Sequence, residues 1–147
     1  MFYLLEMLIK QRFPDVKTIK ISQFAQWLHE KTSPPPLIID ARSQAEYAVS
    51  HIKSALHIEP NMVQLSEISL NNPILVYCSI GYRSAELAQK LQQKGFENVF
   101  NLSGGIFQWV NQENPIFQNT HQVEIVHPYN LIWGKLLKSK YHACIRD

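Results

Sequence analysis

Cys78-Ser79-Ile80-Gly81-Tyr82-Arg83-Ser84 brings a thiol, a glycine and a cation into one short segment. The segment follows the apolar run Ile74-Leu75-Val76-Tyr77 and opens the helical pattern Ser84-Ala85-Glu86-Leu87-Ala88-Gln89-Lys90-Leu91. A cysteine between the end of a buried strand and the start of a helix can collect loop N–H groups around its sulfur. The helix N-terminus adds about half a positive charge behind it. Such a setting favours thiolate over thiol, and the thiolate is the nucleophile. Gly81 allows a turn with positive φ or close approach to a bound group, and Arg83 offers a fixed cation to an anionic substrate. The plainer reading, a buried core cysteine that merely ends a strand, is the commoner fate of a lone thiol. The loop glycine, the arginine and the helix start weigh against it.

The flanking elements are consistent with such a site. Positions 16–21, 37–39, 55–58, 74–77 and 99–102 read as short apolar strands. Helical patterns fall between or after them, at 23–31 with Ser22 as its cap, at 44–49 capped by Ser43, from Ser84 to a stop at Gly95, and after Ser103-Gly104-Gly105. Ser33-Pro34-Pro35-Pro36 is a stiff connector and Asn71-Asn72-Pro73 a turn. Apolar strands alternating with helices predict an α/β domain with a mainly parallel sheet and helices on both faces. Ligands of such sheets sit beyond the carboxyl ends of the strands, where Cys78 falls. A first segment, 1–15, reads as an amphipathic helix with Met1, Leu4, Leu5, Leu8 and Ile9 on one face, ending near Pro14. The domain occupies 16–114 and an extension 115–147. In the extension Val123 and Ile125 alternate as in a strand, and Tyr129, Ile132, Trp133, Leu136 and Leu137 have helical spacing. That stripe would dock on its own domain, pair with the N-terminal helix in a homodimer, or, flanked by Lys135, Lys138 and Lys140, lie on a membrane surface.

At 147 residues, 46% apolar and 18% charged, the chain has room for one domain and a proper core. A net charge of +2 gives no argument for nucleic acid. Two cysteines, Cys78 and Cys144, make no disulfide framework, and no spacing in the chain reads as a metal site or a cofactor motif. The apolar N-terminus lacks a basic leader and a cleavage site, Glu6 interrupts it, and it is too short to span a bilayer. A cytoplasmic protein is expected.

With these residues in view, the chain resembles the rhodanese-like sulfurtransferases in their single-domain form. The similarity runs over about two-thirds of the chain, roughly 16–110. It is carried by Leu37-Ile38-Ile39-Asp40-Ala41-Arg42, Glu46-Tyr47, His51-Ile52 with Ala55, the Cys78–Arg83 loop, and Asn101-Leu102-Ser103-Gly104-Gly105-Ile106 with Trp109. The resemblance implies a five-stranded parallel sheet in a three-layer domain. It also implies transfer of sulfane sulfur through a Cys78 persulfide, without cofactor or metal. The donor would be thiosulfate or a persulfide, and the acceptor cyanide, a small thiol or a protein cysteine. Amides of Ser79, Ile80, Gly81, Tyr82 and Arg83 would cradle the terminal sulfur, Arg83 would help bind an anionic donor, and Tyr82 would shape the pocket mouth. The family pattern has glycine where this chain has Ser50 and Ser54, which bears on the shape of that loop.

Other readings carry less weight. Cysteine-dependent phosphatases and arsenate reductases use a loop with one more residue between cysteine and arginine, suited to a tetrahedral anion. A regulatory rhodanese-like binding module is the main rival, although such modules commonly lack the cysteine. Asp40, Arg42 and Glu46 have the composition of an acid/base set. The better expectation is that Arg42 pairs with a nearby carboxylate and supports the strand-to-helix corner, and that His51 bonds to backbone. Gly104-Gly105 reads as a tight turn, and His142-Ala143-Cys144 as an ordinary tail.

Overall fold

Ile74, Leu75, Val76 and Tyr77 form a strand with no exposed residue, which is what a central strand covered on both faces requires. In the computed structural model, which describes residues 1–31, 34–58 and 65–144, this strand lies in the middle of a five-stranded sheet. The strands are β1 (Lys17–Ile19), β2 (Leu37–Asp40), β3 (Leu56–His57), β4 (Ile74–Tyr77) and β5 (Val99–Leu102). Their spatial order is β1-β5-β4-β2-β3 and every pairing is parallel. The α/β class and the five parallel strands expected from the sequence are borne out.

The strand period sorts the core into two layers. Leu75 and Tyr77 join Phe24, Ile38, Leu102, Ile106, Phe107 and Trp109 on one face. Ile74 and Val76 join Ile39, Ala85, Ala88, Leu91 and Val99 on the other. The first layer is covered by α2 (Ile21–His29) and α5 (Gly105–Asn111), the second by α1 (Phe2–Arg12) and α4 (Tyr82–Gln93). Between β2 and β3 lies the short α3 (Gln44–Val49), started by a reciprocal cap. The Glu46 N–H donates to Ser43 Oγ at 3.3 Å and the Ser43 N–H to Glu46 Oε1 at 3.2 Å. Helix α4 ends as its glycine predicts: Gly95 has φ +101, and the Phe96 N–H reaches back to the Leu91 carbonyl.

Several local expectations need correction. Helix α2 begins at Ile21, so Ser22 lies inside it; Lys20 is the cap residue, its N–H bonded to Gln23 Oε1. Of the proline connector, Ser33 lies outside the described residues. Helix α1 buries Ile9 only, while Met1, Leu4 and Leu8 of its apolar stripe remain exposed.

The expected C-terminal amphipathic helix is absent among the described residues. Tyr129 takes a left-handed φ of 70°, and the Asn130 side chain accepts the N–H groups of Ile132 and Trp133. A 3-10 turn (Trp133–Leu136) follows. Asn111 then takes the Leu136 carbonyl and the Lys138 N–H, so side-chain bonds replace a continuing helix. A second 3-10 turn spans Ser139–Tyr141. Gly134 within the first turn is poor helix material. The helical spacing was real but misleading, since Ile132 is 70% exposed.

The extension nonetheless packs on its own domain. Ile116, Val126 and Leu137 are buried in the first core layer. The hairpin β6 (Ile116–Gln118) and β7 (His121–Val123) is tied to the domain by the His51–Phe117 bridge. For a homodimer through both terminal helices, one of the alternatives for that stripe, the described residues offer α1 but no second α-helix at 129–137. No helix among the described residues is long and apolar enough to cross a membrane.

Candidate active site

Cys78 follows the last residue of β4, at the carboxyl end of the sheet, and is 1% exposed. The chain must turn there from strand into α4, and Gly81 makes the turn with φ +110, a conformation open chiefly to glycine. The turn brings the Gly81 N–H to within 3.0 Å of Cys78 Sγ. Ser84, in the first turn of α4, places its Oγ 3.3 Å from the same sulfur and 2.5 Å from Asn101 Oδ1. Asn101 closes the circuit by donating from Nδ2 to the Gly81 carbonyl at 2.9 Å.

Two further bonds fix the base of this loop. The N–H of Ile106 donates to the Cys78 carbonyl and that of Phe107 to the Ser79 carbonyl, at 2.9 and 3.2 Å. This close approach needs Gly105. A Cβ there would lie 2.5 Å from the Ser79 oxygen and nearer still to that of Cys78. The Gly104-Gly105 pair is thus the tight turn expected, and it also seats the reactive loop.

Arg83 lies beside the thiol but is already engaged. Its Nη1 donates to Glu46 Oε1 at 2.8 Å and its Nη2 to Glu46 Oε2 at 2.9 Å. Ser79 Oγ completes the group, donating to Glu46 Oε2 and accepting from Arg83 Nη2. Burial alone would raise the Glu46 pKa. The hydrogen bonds and charge of Arg83 outweigh it, with help from Arg42 and Ser79, and hold the carboxyl at about 2. The outer face of the guanidinium is covered by the Tyr129 ring, whose centroid is 4.4 Å away. Arg83, expected to help bind an anionic donor, therefore has its charge compensated by Glu46.

Asp40, Arg42 and His51 occupy a separate buried corner. Arg42 binds Asp40 through Nε and Nη2, at 2.9 and 2.7 Å, and its Nη2 also reaches the Ser50 carbonyl. Tyr77 donates its hydroxyl proton to Asp40 Oδ2 at 2.7 Å and accepts the Ile52 N–H. Burial, reinforced by Asp40, pushes the Tyr77 phenol well above its ordinary pKa. His51 bonds through Nδ1 to the Ile52 carbonyl and stacks on Tyr47. These contacts anchor the turn after β2 against β4, and none of them reaches the sulfur. Glu46 alone of the supporting set touches the reactive loop.

Sequence reading missed Ser84 and Asn101. The available signal was an asparagine inside the otherwise apolar strand Val99-Phe100-Asn101-Leu102, buried and therefore in need of partners. Tyr129 was missed for a different reason, since only the tertiary fold carries it to Arg83.

Cys78 is the floor of a cleft of about 380 Å³ lined by Leu5, Leu8 and Ile9 of α1, by Ser79, Ile80, Tyr82 and Arg83 of the loop and first turn of α4, and by Tyr129 and Trp133 of the extension. Tyr82 stands along the cleft wall, edge-on to Phe13. Among the described residues no cluster of side chains could hold a metal ion.

A single thiol at the carboxyl end of a central parallel strand, cradled by a glycine loop at a helix start, defines a cysteine-loop α/β domain. Sequence comparison places it further: residues 22–112 match the rhodanese-like domain, and the chain belongs to that family. Relatives include a thiosulfate sulfurtransferase GlpE of Haemophilus influenzae, 35% identical over 82 residues, which are 54% of this chain and 78% of the relative. A GlpE of Coxiella burnetii is 40% identical over 77 residues, 50% of this chain and 70% of the relative. Among solved structures, a rhodanese-like domain protein of Staphylococcus aureus superposes with a TM-score of 0.56 at 27% identity, covering 64% of this chain and 91% of that one.

Proposed function

We propose that the protein is a sulfurtransferase in which Cys78 carries sulfane sulfur as a persulfide. The observation that carries this reading is the Gly81 N–H directed at Cys78 Sγ from 3.0 Å, with Ser84 Oγ as a second polar neighbour, at the floor of an open cleft. The relatives' names support the reaction class. The Cys78 thiolate attacks the outer sulfur of thiosulfate or of a persulfide. A sulfur–sulfur bond forms on Cys78 as sulfite or a thiolate leaves with the bonding pair. An acceptor, cyanide or a small or protein thiol, then attacks the outer sulfur and regenerates the Cys78 thiolate. Sulfur is held covalently between the two half-reactions, so ping-pong kinetics follow.

The loop's role in this scheme is electrostatic. The Gly81 N–H and the N-terminus of α4 meet negative charge on Cys78 or on the terminal sulfur of its persulfide. Ser79, Ile80, Tyr82 and Arg83 complete the bowl, with Arg83 acting through Glu46 and Ser79 to keep the loop in shape. No general base is needed once the thiolate exists. Free Cys78 and Cys144 fit a reducing compartment, and we place the protein in the cytoplasm.

Mass spectrometry of the intact protein after incubation with thiosulfate or glutathione persulfide tests the proposal. A mass gain of one sulfur atom, lost on adding cyanide and absent in Cys78→Ser, is expected. A Cys78→Ser variant that still transfers sulfur would reject it.

A further inference from the structure

Above the sulfur the cleft is walled by hydrocarbon. Leu5 and Leu8 of α1 and Ile80 and Tyr82 of the loop and α4 share it with Tyr129 and Trp133 of the extension. Leu5, Leu8, Tyr129 and Trp133 all lie outside residues 22–112, the part that matches the family. Among the described residues Arg83 is the one cation lining the cleft. Glu46 compensates its charge and Tyr129 covers its face. A small inorganic dianion would meet the Gly81 amide and the start of α4 only at the floor, while its second charge would leave water for a neutral ion pair and apolar walls, which disfavours it. A donor carrying an apolar substituent would cover those walls and gain from doing so.

We infer that the sulfur donor to Cys78 is an organic sulfane compound with an apolar substituent R, as a persulfide R–S–S⁻ or a thiosulfonate R–SO₂–S⁻, in preference to thiosulfate. The inference rests on the reading of Cys78 as the sulfur-carrying nucleophile. In the loading step the thiolate electron pair forms the bond from Cys78 to the outer sulfur. The bond from that sulfur to the rest of the donor breaks, and R–SO₂⁻ or R–S⁻ departs with the bonding pair. No external oxidant, reductant or proton is required.

Thiosulfonates isolate the substituent, because methanethiosulfonate and benzenethiosulfonate carry the same charge and the same transferable sulfur. Initial rates of the full chain would be measured with both and with thiosulfate, using cyanide as the common acceptor. The expected kcat/KM for benzenethiosulfonate exceeds that for methanethiosulfonate by about 10- to 100-fold, the range open to a buried apolar group. Leu8 is 61% exposed, so Leu8→Lys tests the wall with little demand on folding. It should lower the ratio of benzenethiosulfonate to thiosulfate kcat/KM by about tenfold, by placing a cation at the mouth. If that variant fails to fold, Leu8→Ala, which suits a helix, should lower the same ratio by a smaller factor. A benzene-to-methane ratio near one, or a donor ratio unmoved by substitution of Leu8, would overturn the inference while Cys78-dependent transfer stood. If no donor loads Cys78, the reading beneath fails and the inference with it.

Discussion

Glu46 and Arg83 meet through two parallel hydrogen bonds of 2.8 and 2.9 Å, joining the first turn of α3 to the reactive loop. The same carboxylate caps α3 through Ser43 and accepts from Ser79. One side chain therefore sets a helix start, the loop conformation and the charge balance beside Cys78.

Stability should depend on the ionisation of Glu46. Its folded pKa, about 2, lies below the ordinary 4.5. The stabilisation it provides is thus complete above about pH 4.5, declines as pH falls below that value, and is exhausted near pH 2. Urea melts between pH 7 and pH 3 should lose stability through the lower half of that range. In Glu46→Gln the slope should flatten, because the group that binds the proton is gone. An acid slope equal to that of the wild type would remove Glu46 as its source.

Ser84→Ala should slow sulfur transfer by about tenfold, less than the loss typical of a main oxyanion donor, because the Gly81 amide remains. The rate of Cys78 alkylation by iodoacetamide should fall in parallel. A variant that alkylates and turns over like the wild type would show that the hydroxyl matters only to Asn101.

Gly105→Ala should be damaging at a distance from the thiol. The added methyl group meets the carbonyl oxygens of Cys78 and Ser79, and the backbone φ of 59° disfavours any side chain. A loss of about 2–4 kcal/mol is expected from the combined clash and backbone strain, with transfer reduced in whatever protein folds. Thermal melts and single-turnover loading of Cys78 measure both.

Ser54→Gly should stabilise the protein. Ser54 holds φ at 66°, in the left-handed region that favours glycine. Left-handed backbone costs an ordinary residue about 1–2 kcal/mol, and glycine returns roughly half of the gain as chain entropy. The melting temperature should rise by about 2–4 °C per kcal/mol gained in a protein of this size. Ser50, by contrast, is extended at φ −168 and should show no such effect on replacement by glycine.

The sheet was legible because residues 37–39 of β2 and all of β4 are continuous apolar runs, too short for helices and bounded by turn residues. The reactive loop was legible because cysteine, glycine and arginine each have a chemical reason to stand where they do. The extension was not. Its stripe at 129–137 satisfied helical periodicity, but periodicity does not register Asn111, which lies far away in sequence and takes the Leu136 carbonyl that a longer helix would use. Arg83 shows the same limit in the site. Its type and position predicted a cation near the thiol, whereas its pairing with Glu46 depends on how α3 packs against the loop.

Leu5 and Leu8 come from the first helix, Trp133 from near the other end of the chain, and the sulfur from between them. Substitutions at Leu5, Leu8 or Trp133 can therefore reshape the entrance from two distant stretches of the chain while Cys78 and its loop stay as they are.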